Sequence, residues 1–434
     1  MKIPGYVDVS FGFDTACRTY SELIGNVCVD ALSSGTYWHF IRLMGRAASN
    51  ITLECALATH PNVALIGEEV AARHQNLASV TEEIVNVIAG RAAAGKNYGV
   101  VLVPEGLIEF VPEINVLLSE INELLAHGTP NTVAAVAEAL SLSSAGLFNY
   151  LPPNIKQQLL ADRDPHGNVQ VSLIETEKLL ADLVQHELDK RARAGACPLP
   201  TPRAGVWPTN FQFHFFGYEG RCALPCDFDT VYCYALGMVA ATLLHHGCTG
   251  LMSSVTKLHA PVSEWECAGV PLTAFFNVER RHGKDKPVIK KALVELHELP
   301  FRAFMAARGG WAVSDAYRNP GPIQLHEGGD RVELCHTLAL EYEERAGGGG
   351  GAAAAAPAHA PPPAAKQGEA ALEAYVGLLE GMLGDGEAPS AHDLHRLLSW
   401  RLAHKVTDAL HARALESVKI PLAKFAGWEA ALLK

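Results

Sequence analysis

From Tyr37 onward, short continuous apolar runs alternate with longer stretches in which apolar residues recur every three or four positions. "YWHFIRL" reads as a strand and "RAASNITLECALATH" as a helix. "VALIG" is a strand before the helix "VTEEIVNVIAGRAAAG". "YGVVLV" is a strand before "IEFVPEINVLLSEINELLAHG", a helix with a break near Pro112. Strands without alternation, set between amphipathic helices, predict a parallel sheet covered on both faces. The region from Ser141 to Ala196 is predicted mainly helical and ends in "VSLIETEKLLADLVQHELDKRARAG". "PLPTPRAGVWPTN" predicts a proline-rich surface loop. "FQFHFF" then reads as a strand, "FDTVYCYALGMVAATLLHHG" as a helix stopped by its glycine, and "GLMSSV" as another strand. The fold class is α/β, with parallel sheets flanked by helices.

The pattern changes at Ala346. "AGGGGGAAAAAPAHAPPPAAK" cannot bury a core and predicts a flexible linker over 346–368. No Gly-Lys-Ser/Thr follows its glycines, so they are not a phosphate loop. A helical tail is expected over 369–434. Its His392, His395, His404 and His411 read as a solvated helix face, because no acidic or cysteine partner completes a metal set.

Composition narrows the picture without deciding it. Of 434 residues, 49% are hydrophobic and 19% charged, enough for a core in about two domains. The net charge of -12 argues against a general nucleic-acid binder. No run reaches the ~18 apolar residues of a membrane helix, and "MKIPGYVDVS" has no apolar signal core, so the expected location is cytoplasmic. The ten cysteines, including the CxxxC pair Cys222 and Cys226, are expected to be free and mostly buried thiols rather than metal ligands.

Candidate chemistry gathers where strands end. Met44-Gly45-Arg46, Pro104-Glu105-Gly106 and Tyr218-Glu219-Gly220-Arg221 each follow a predicted strand. In open α/β sheets, ligands bind beyond the carboxyl ends of the strands. Gly45 permits close backbone approach, and an arginine fork near a helix start is a good phosphate receptor. Glu105 can accept from sugar hydroxyls, Tyr218 can donate to a phosphate oxygen, and Arg221 adds charge. Together they describe a receptor for a sugar phosphate. Taken singly, each triplet is also an ordinary turn. Arg280, Arg281, His282 and Lys284 form a basic loop before a helix, read equally as a phosphate receptor or as a partner for acidic helices. "RDPHGNVQ" reads as a turn around Asp164-Pro165-His166. There is no GxSxG, no HExxH and no complete P-loop.

At these residues the sequence resembles the plant-type pyrophosphate-dependent 6-phosphofructokinases. The matching stretches are "SFGFDTAC", "FIRLMGRAASNITLECAL", "VLVPEGLIEFVPE", "RDPHGNVQVSLIETEKLL", "HFFGYEGRCALP", "VERRHGKDKPVIKKALVEL" and "YRNPGPIQ", in the family's order from about Val9 to Leu340. The resemblance implies a phosphofructokinase-like fold and reversible phosphorylation of fructose 6-phosphate by pyrophosphate with magnesium. It implies that Met44, Gly45, Arg46, Glu105, Tyr218, Glu219, Gly220 and Arg221 hold fructose 6-phosphate. A family Lys-Tyr pair that reaches a neighbouring subunit's site stands here as Thr36-Tyr37.

The family's Gly-Gly-Asp-Asp segment and its Thr-Ile-Asp-Gly-Asp base loop do not occur in this sequence. The expectation is therefore an N-terminally incomplete first domain, with an exposed sheet edge, no metal ligands, no catalytic residue and no turnover by this chain alone. Residues 1–30 are expected as a remnant of the donor-binding domain. Residues 31–345 are expected as the fructose 6-phosphate region, with a helical insertion at about 130–200. The implied partners are fructose 6-phosphate, pyrophosphate and a related subunit in a homo- or hetero-oligomer. Plant enzymes of this type pair catalytic and regulatory subunits. "NVCVDALSS", "YRNPGPIQ" and the tail resemble the regulatory kind, whereas "GYEGR" and "ERRHGK" resemble the catalytic kind. A non-catalytic regulatory subunit and an ATP-dependent phosphofructokinase are the alternative readings.

Overall fold

The computed structural model describes residues 6–45, 48–161, 169, 173–198, 206–281, 284–289, 292–326 and 332–347. Arg46, His282, the 164–166 turn, the linker from 348 onward and the histidine-bearing tail lie outside them. The chain divides into two compact units, Met1–Ala240 with Gly250–Gly349, and Ala241–Thr249 with Gly350–Lys434. The first holds the parallel sheet and the candidate site.

The elements run α1 (Phe13–Ser34), β1 (Tyr37–Leu43), α2 (Asn50–Thr59), β2 (Val63–Ala64), α3 (Gly67–Ala72), α4 (Leu77–Ala93), β3 (Gly99–Pro104), α5 (Leu107–Phe110) and α6 (Pro112–Ala126). There follow α7 (Val133–Ala139), α8 (Leu142–Tyr150), α9 (Pro153–Leu160), α10 (Thr176–Arg193), β4 (Asn210–Phe216), α11 (Tyr218–Arg221) and α12 (Asp227–His245). The last elements are β5 (Leu251–Thr256), β6 (Glu266–Pro271), β7 (Phe276–Arg281), β8 (Lys284–Ile289), α13 (Leu299–Val313) and α14 (His336–Gly347).

The first four strands form one parallel sheet in the order β2-β3-β1-β4. The middle strands β1 and β3 are buried almost throughout, as their continuous apolar runs require. Alternate residues feed two cores. Trp38, Phe40, Val101 and Val103 pack with α4, α6, α8 and α10. Ile41, Leu43, Val100 and Leu102 pack with α1, α2 and α13. The α5–α6 break falls at Val111, which is extended because Pro112 opens the next helix.

Several expectations change. "VALIG" forms a strand only at Val63 and Ala64, with Leu65 N–H still donating to Leu102 O of β3, because Gly67 already begins α3. The basic stretch is not a loop before a helix. Arg280 and Arg281 end β7 and Lys284 begins β8, an antiparallel pair with Arg281 opposite Lys284, and α13 begins only at Leu299. "GLMSSV" becomes β5, which pairs antiparallel with β6 outside the parallel sheet. The proline-rich stretch is not all surface. Trp207 is buried in the first core, and its backbone N–H donates to Asp189 Oδ1 at 2.8 Å. All ten cysteines are free, but only five are buried, and the CxxxC pair divides into exposed Cys222 and buried Cys226.

Candidate sugar-phosphate site

The ends of β1, β3 and β4 are laced together by backbone hydrogen bonds. Met44 N–H donates to Phe216 O and Glu105 N–H to Leu43 O, each at 3.0 Å. Met44-Gly45, Glu105-Gly106 and the segment from Gly217 therefore leave the sheet side by side, at its carboxyl edge. Thr36 and Tyr37 do not join them, because Tyr37 is the first residue of β1 and lies at the opposite end of the strand.

Two connections carry the candidate residues. The first runs from β1 to α2. Gly45 N–H donates to Glu105 Oε2 at 3.0 Å, from a glutamate buried at the end of β3. Gly45 has φ 159°, and a Cβ there would lie 3.2 Å from Ala48 O, so the chain folds closely on itself. Met44 is half-buried against the second core.

The second connection runs from β4 into α11. Gly217 N–H donates to Glu219 Oε2 at 2.8 Å, so this carboxylate holds its own turn. Buried Tyr20 of α1 lies beneath, and its hydroxyl donates to Gly217 O. A Cβ on Gly220 would come within 2.5 Å of the Tyr20 ring, which makes glycine a packing requirement there. Burial pushes the Tyr20 phenol's pKa far above its ordinary value, so it remains a hydrogen-bond donor. Tyr218 is 67% exposed, and Arg221 Cζ lies 5.5 Å from its ring centroid.

Sequence reasoning missed Tyr20. Its only signal was the helical spacing Tyr20, Ile24, Cys28 and Ala31, which reads as core. The backbone of Arg280, Arg281 and Lys284 lies in the β7–β8 hairpin, in another sheet from the triplets.

A cleft of about 420 Å³ opens beside Gly45 and Asn50. Its walls include Phe13, Val294, Phe301 and Leu338, and neither Glu105 nor Tyr218 lines it. Among the described residues, no three His, Cys, Asp or Glu side chains gather to hold a metal ion. No described helix is long and apolar enough to cross a membrane.

Comparison with known proteins agrees with this layout. The phosphofructokinase family model matches residues 4–244, which span the whole parallel sheet and both connections. Pyrophosphate–fructose 6-phosphate 1-phosphotransferase subunit beta of Ricinus communis is 55% identical over 338 residues, covering 77% of this chain and 59% of that protein. The Treponema pallidum (strain Nichols) pyrophosphate–fructose 6-phosphate 1-phosphotransferase is 51% identical over 329 residues, covering 74% and 56%. The Arabidopsis thaliana subunit alpha 2 is 40% identical over 339 residues, covering 76% and 54%. The chain thus spans less than two thirds of the length of these relatives. With more than half of its residues matched by the family model, including every strand that ends at the candidate site, the chain belongs to the phosphofructokinase family.

Proposed function

We propose that this chain provides the fructose 6-phosphate-binding part of a pyrophosphate-dependent 6-phosphofructokinase, which reversibly transfers a phosphoryl group from pyrophosphate to give fructose 1,6-bisphosphate. The observation that carries this is the side-by-side exit of three chemically distinct turns from one sheet edge. Glu105 gives Oε2 to the Gly45 amide, and we assign Oε1 to a sugar hydroxyl. Met44 and Gly45 form the wall beside it. Tyr218, Arg221 and Arg46 receive the phosphate, while Glu219 and Gly220 shape the turn that presents them. Thr36 and Tyr37, at the far end of β1, serve a neighbouring subunit's site, and Arg280, Arg281 and Lys284 form a further phosphate receptor.

The sugar-phosphate region is 31–345 with its insertion at about 130–200. Residues 1–30 are the remnant of the donor-binding domain, with α1 packed in the second core and Tyr20 beneath the sugar-phosphate site, while 346–368 form a linker and 369–434 a tail. Relatives named for pyrophosphate in a plant and a bacterium support that donor over ATP. Identity of 55% to a subunit beta against 40% to a subunit alpha supports a beta-like chain in an oligomer with a related subunit. We assign the protein to the cytoplasm, because its proposed substrates are phosphorylated sugars and pyrophosphate. The family implies magnesium. Glu105 and Glu219 each already give an oxygen to a backbone N–H, and the described residues gather no metal-binding set. They do not fit a metal site, so no step is assigned to a metal held by them.

Calorimetric titration of the purified chain with fructose 6-phosphate tests the reading. Arg46→Ala and Arg221→Ala should each weaken binding by about 1.5–3 kcal/mol, the usual cost of a charged hydrogen bond. Unchanged affinity in both variants overturns it.

A further inference from the structure

The connection between β1 and α2 is held at both ends, and the second holder is a residue with no assigned role. Ser49 stands at the N-cap position of α2, where a serine hydroxyl ordinarily accepts an N–H from its own helix. Here the hydroxyl makes no such bond. It accepts Gly67 N–H at 2.9 Å, at the start of α3. In return, Ser49 N–H donates to Glu68 Oε1 at 3.1 Å. The same oxygen accepts Val294 N–H at 2.9 Å, from the segment that follows the β7–β8 hairpin. One carboxylate oxygen thus joins three separate stretches of chain. Asn50 repeats the tie, its Nδ2 donating to Ala292 O at 3.0 Å.

Glu68, Ser49 and Val294 are all buried. The other oxygen of Glu68, Oε2, is buried with no hydrogen-bond partner among the described residues. A buried carboxylate with half its accepting capacity unused is a poor way to gain stability. Its value lies in where it puts the backbone. Glu105 fixes the first residue of the connection, Gly45, and Glu68 fixes the last, Ser49. Glu105 directly follows β3, and Glu68 lies in the first turn of α3.

We propose that Glu68 is a positioning residue for the sugar-phosphate site. It holds Ser49 at the start of α2 and ties it to the chain that follows β8. The inference rests on the functional reading above, and it deepens that reading by naming the group that holds the α2 end of the β1–α2 connection.

The test uses the full chain and two readouts, amide hydrogen exchange and fructose 6-phosphate calorimetry. Glu68→Ala should speed exchange at the Ser49 and Val294 amides and weaken fructose 6-phosphate binding, each by about tenfold, the scale of a lost hydrogen bond to a charged group. Glu68→Gln keeps an accepting oxygen and should restore both to within about threefold. Val85→Ala, in the core on the opposite face of the sheet, is the control for general destabilisation. If Val85→Ala weakens binding as much as Glu68→Ala at matched loss of Tm, or if Glu68→Ala leaves the Ser49 amide as protected as before, the inference is overturned. If the unsubstituted chain binds no fructose 6-phosphate, the functional reading falls, and amide exchange alone still decides whether Glu68 holds the connection.

Discussion

The two connections that carry the candidate site are built differently. The β1–α2 connection leaves a strand covered on both faces and is gripped by two buried glutamates, Glu105 just after β3 and Glu68 in α3. The β4–α11 connection leaves a strand at the edge of the described sheet, with Phe213 and Phe215 more than a third exposed. It is held by a local glutamate and by Tyr20 from below. One side is preformed by distant carboxylates, while the other presents an exposed tyrosine and arginine on a short turn. Such a division suits a ligand with a hydroxylated body and an anionic end, since the body needs fixed geometry and the anion needs reachable charge.

Substitutions can break this contrast. The largest effect should come from Glu105→Ala, which leaves the Gly45 N–H without its acceptor. Fructose 6-phosphate affinity should fall by about 1.5–3 kcal/mol, measured by calorimetry. Loss confined to thermal stability would show that the grip does not serve the ligand. Gly220→Ala should come next. Its new Cβ meets the Tyr20 ring, so overpacking should cost about 1–3 kcal/mol of stability, with Tyr20→Ala restoring part of it in the double variant. Tyr20→Phe removes only the hydroxyl bond to Gly217 O and should cost about 1 kcal/mol, read by denaturant unfolding.

Near neutrality the smallest effect should be that of pH, and it should act on the β4 side. His39 Nδ1 and His214 Nε2 lie 3.0 Å apart across the β1–β4 pairing, with Asp30 Oδ2 3.7 Å from His39 Nε2. Burial, reinforced by the neighbouring His214, holds His39 down at about 4, and burial lowers His214 as well. An unfolded histidine takes up its proton near pH 6.5. Between pH 6.5 and about 4 the unfolded chain therefore binds protons that folded His39 does not, so stability falls as pH falls through that window. Thermal melts from pH 7 to 4 should show the decline, and His39→Gln should flatten it. An unaltered slope in the variant would place the titration elsewhere.

The strand–turn–helix rhythm was legible because buried parallel strands leave continuous apolar runs, and the triplets stood out because they follow those runs. The residues that hold the triplets were not legible. Glu68 meets Ser49 from 19 positions away and Val294 from 226 away, and no local period reports such a meeting. Tyr20 looked like any core residue of its helix. The hairpin at Arg281–Lys284 was missed because charged positions mask strand alternation. Trp207 was hidden by the prolines around it, which signal a loop but not what the loop buries.

The central claim is that the two connections act together on one sugar phosphate. Hydrogen exchange of the whole chain, with and without saturating fructose 6-phosphate, tests it most directly. The account predicts added protection at Gly45–Ser49 and at Gly217–Cys222 together, rising along the same ligand titration. Protection at only one connection, or at neither while the ligand is bound elsewhere, would contradict it.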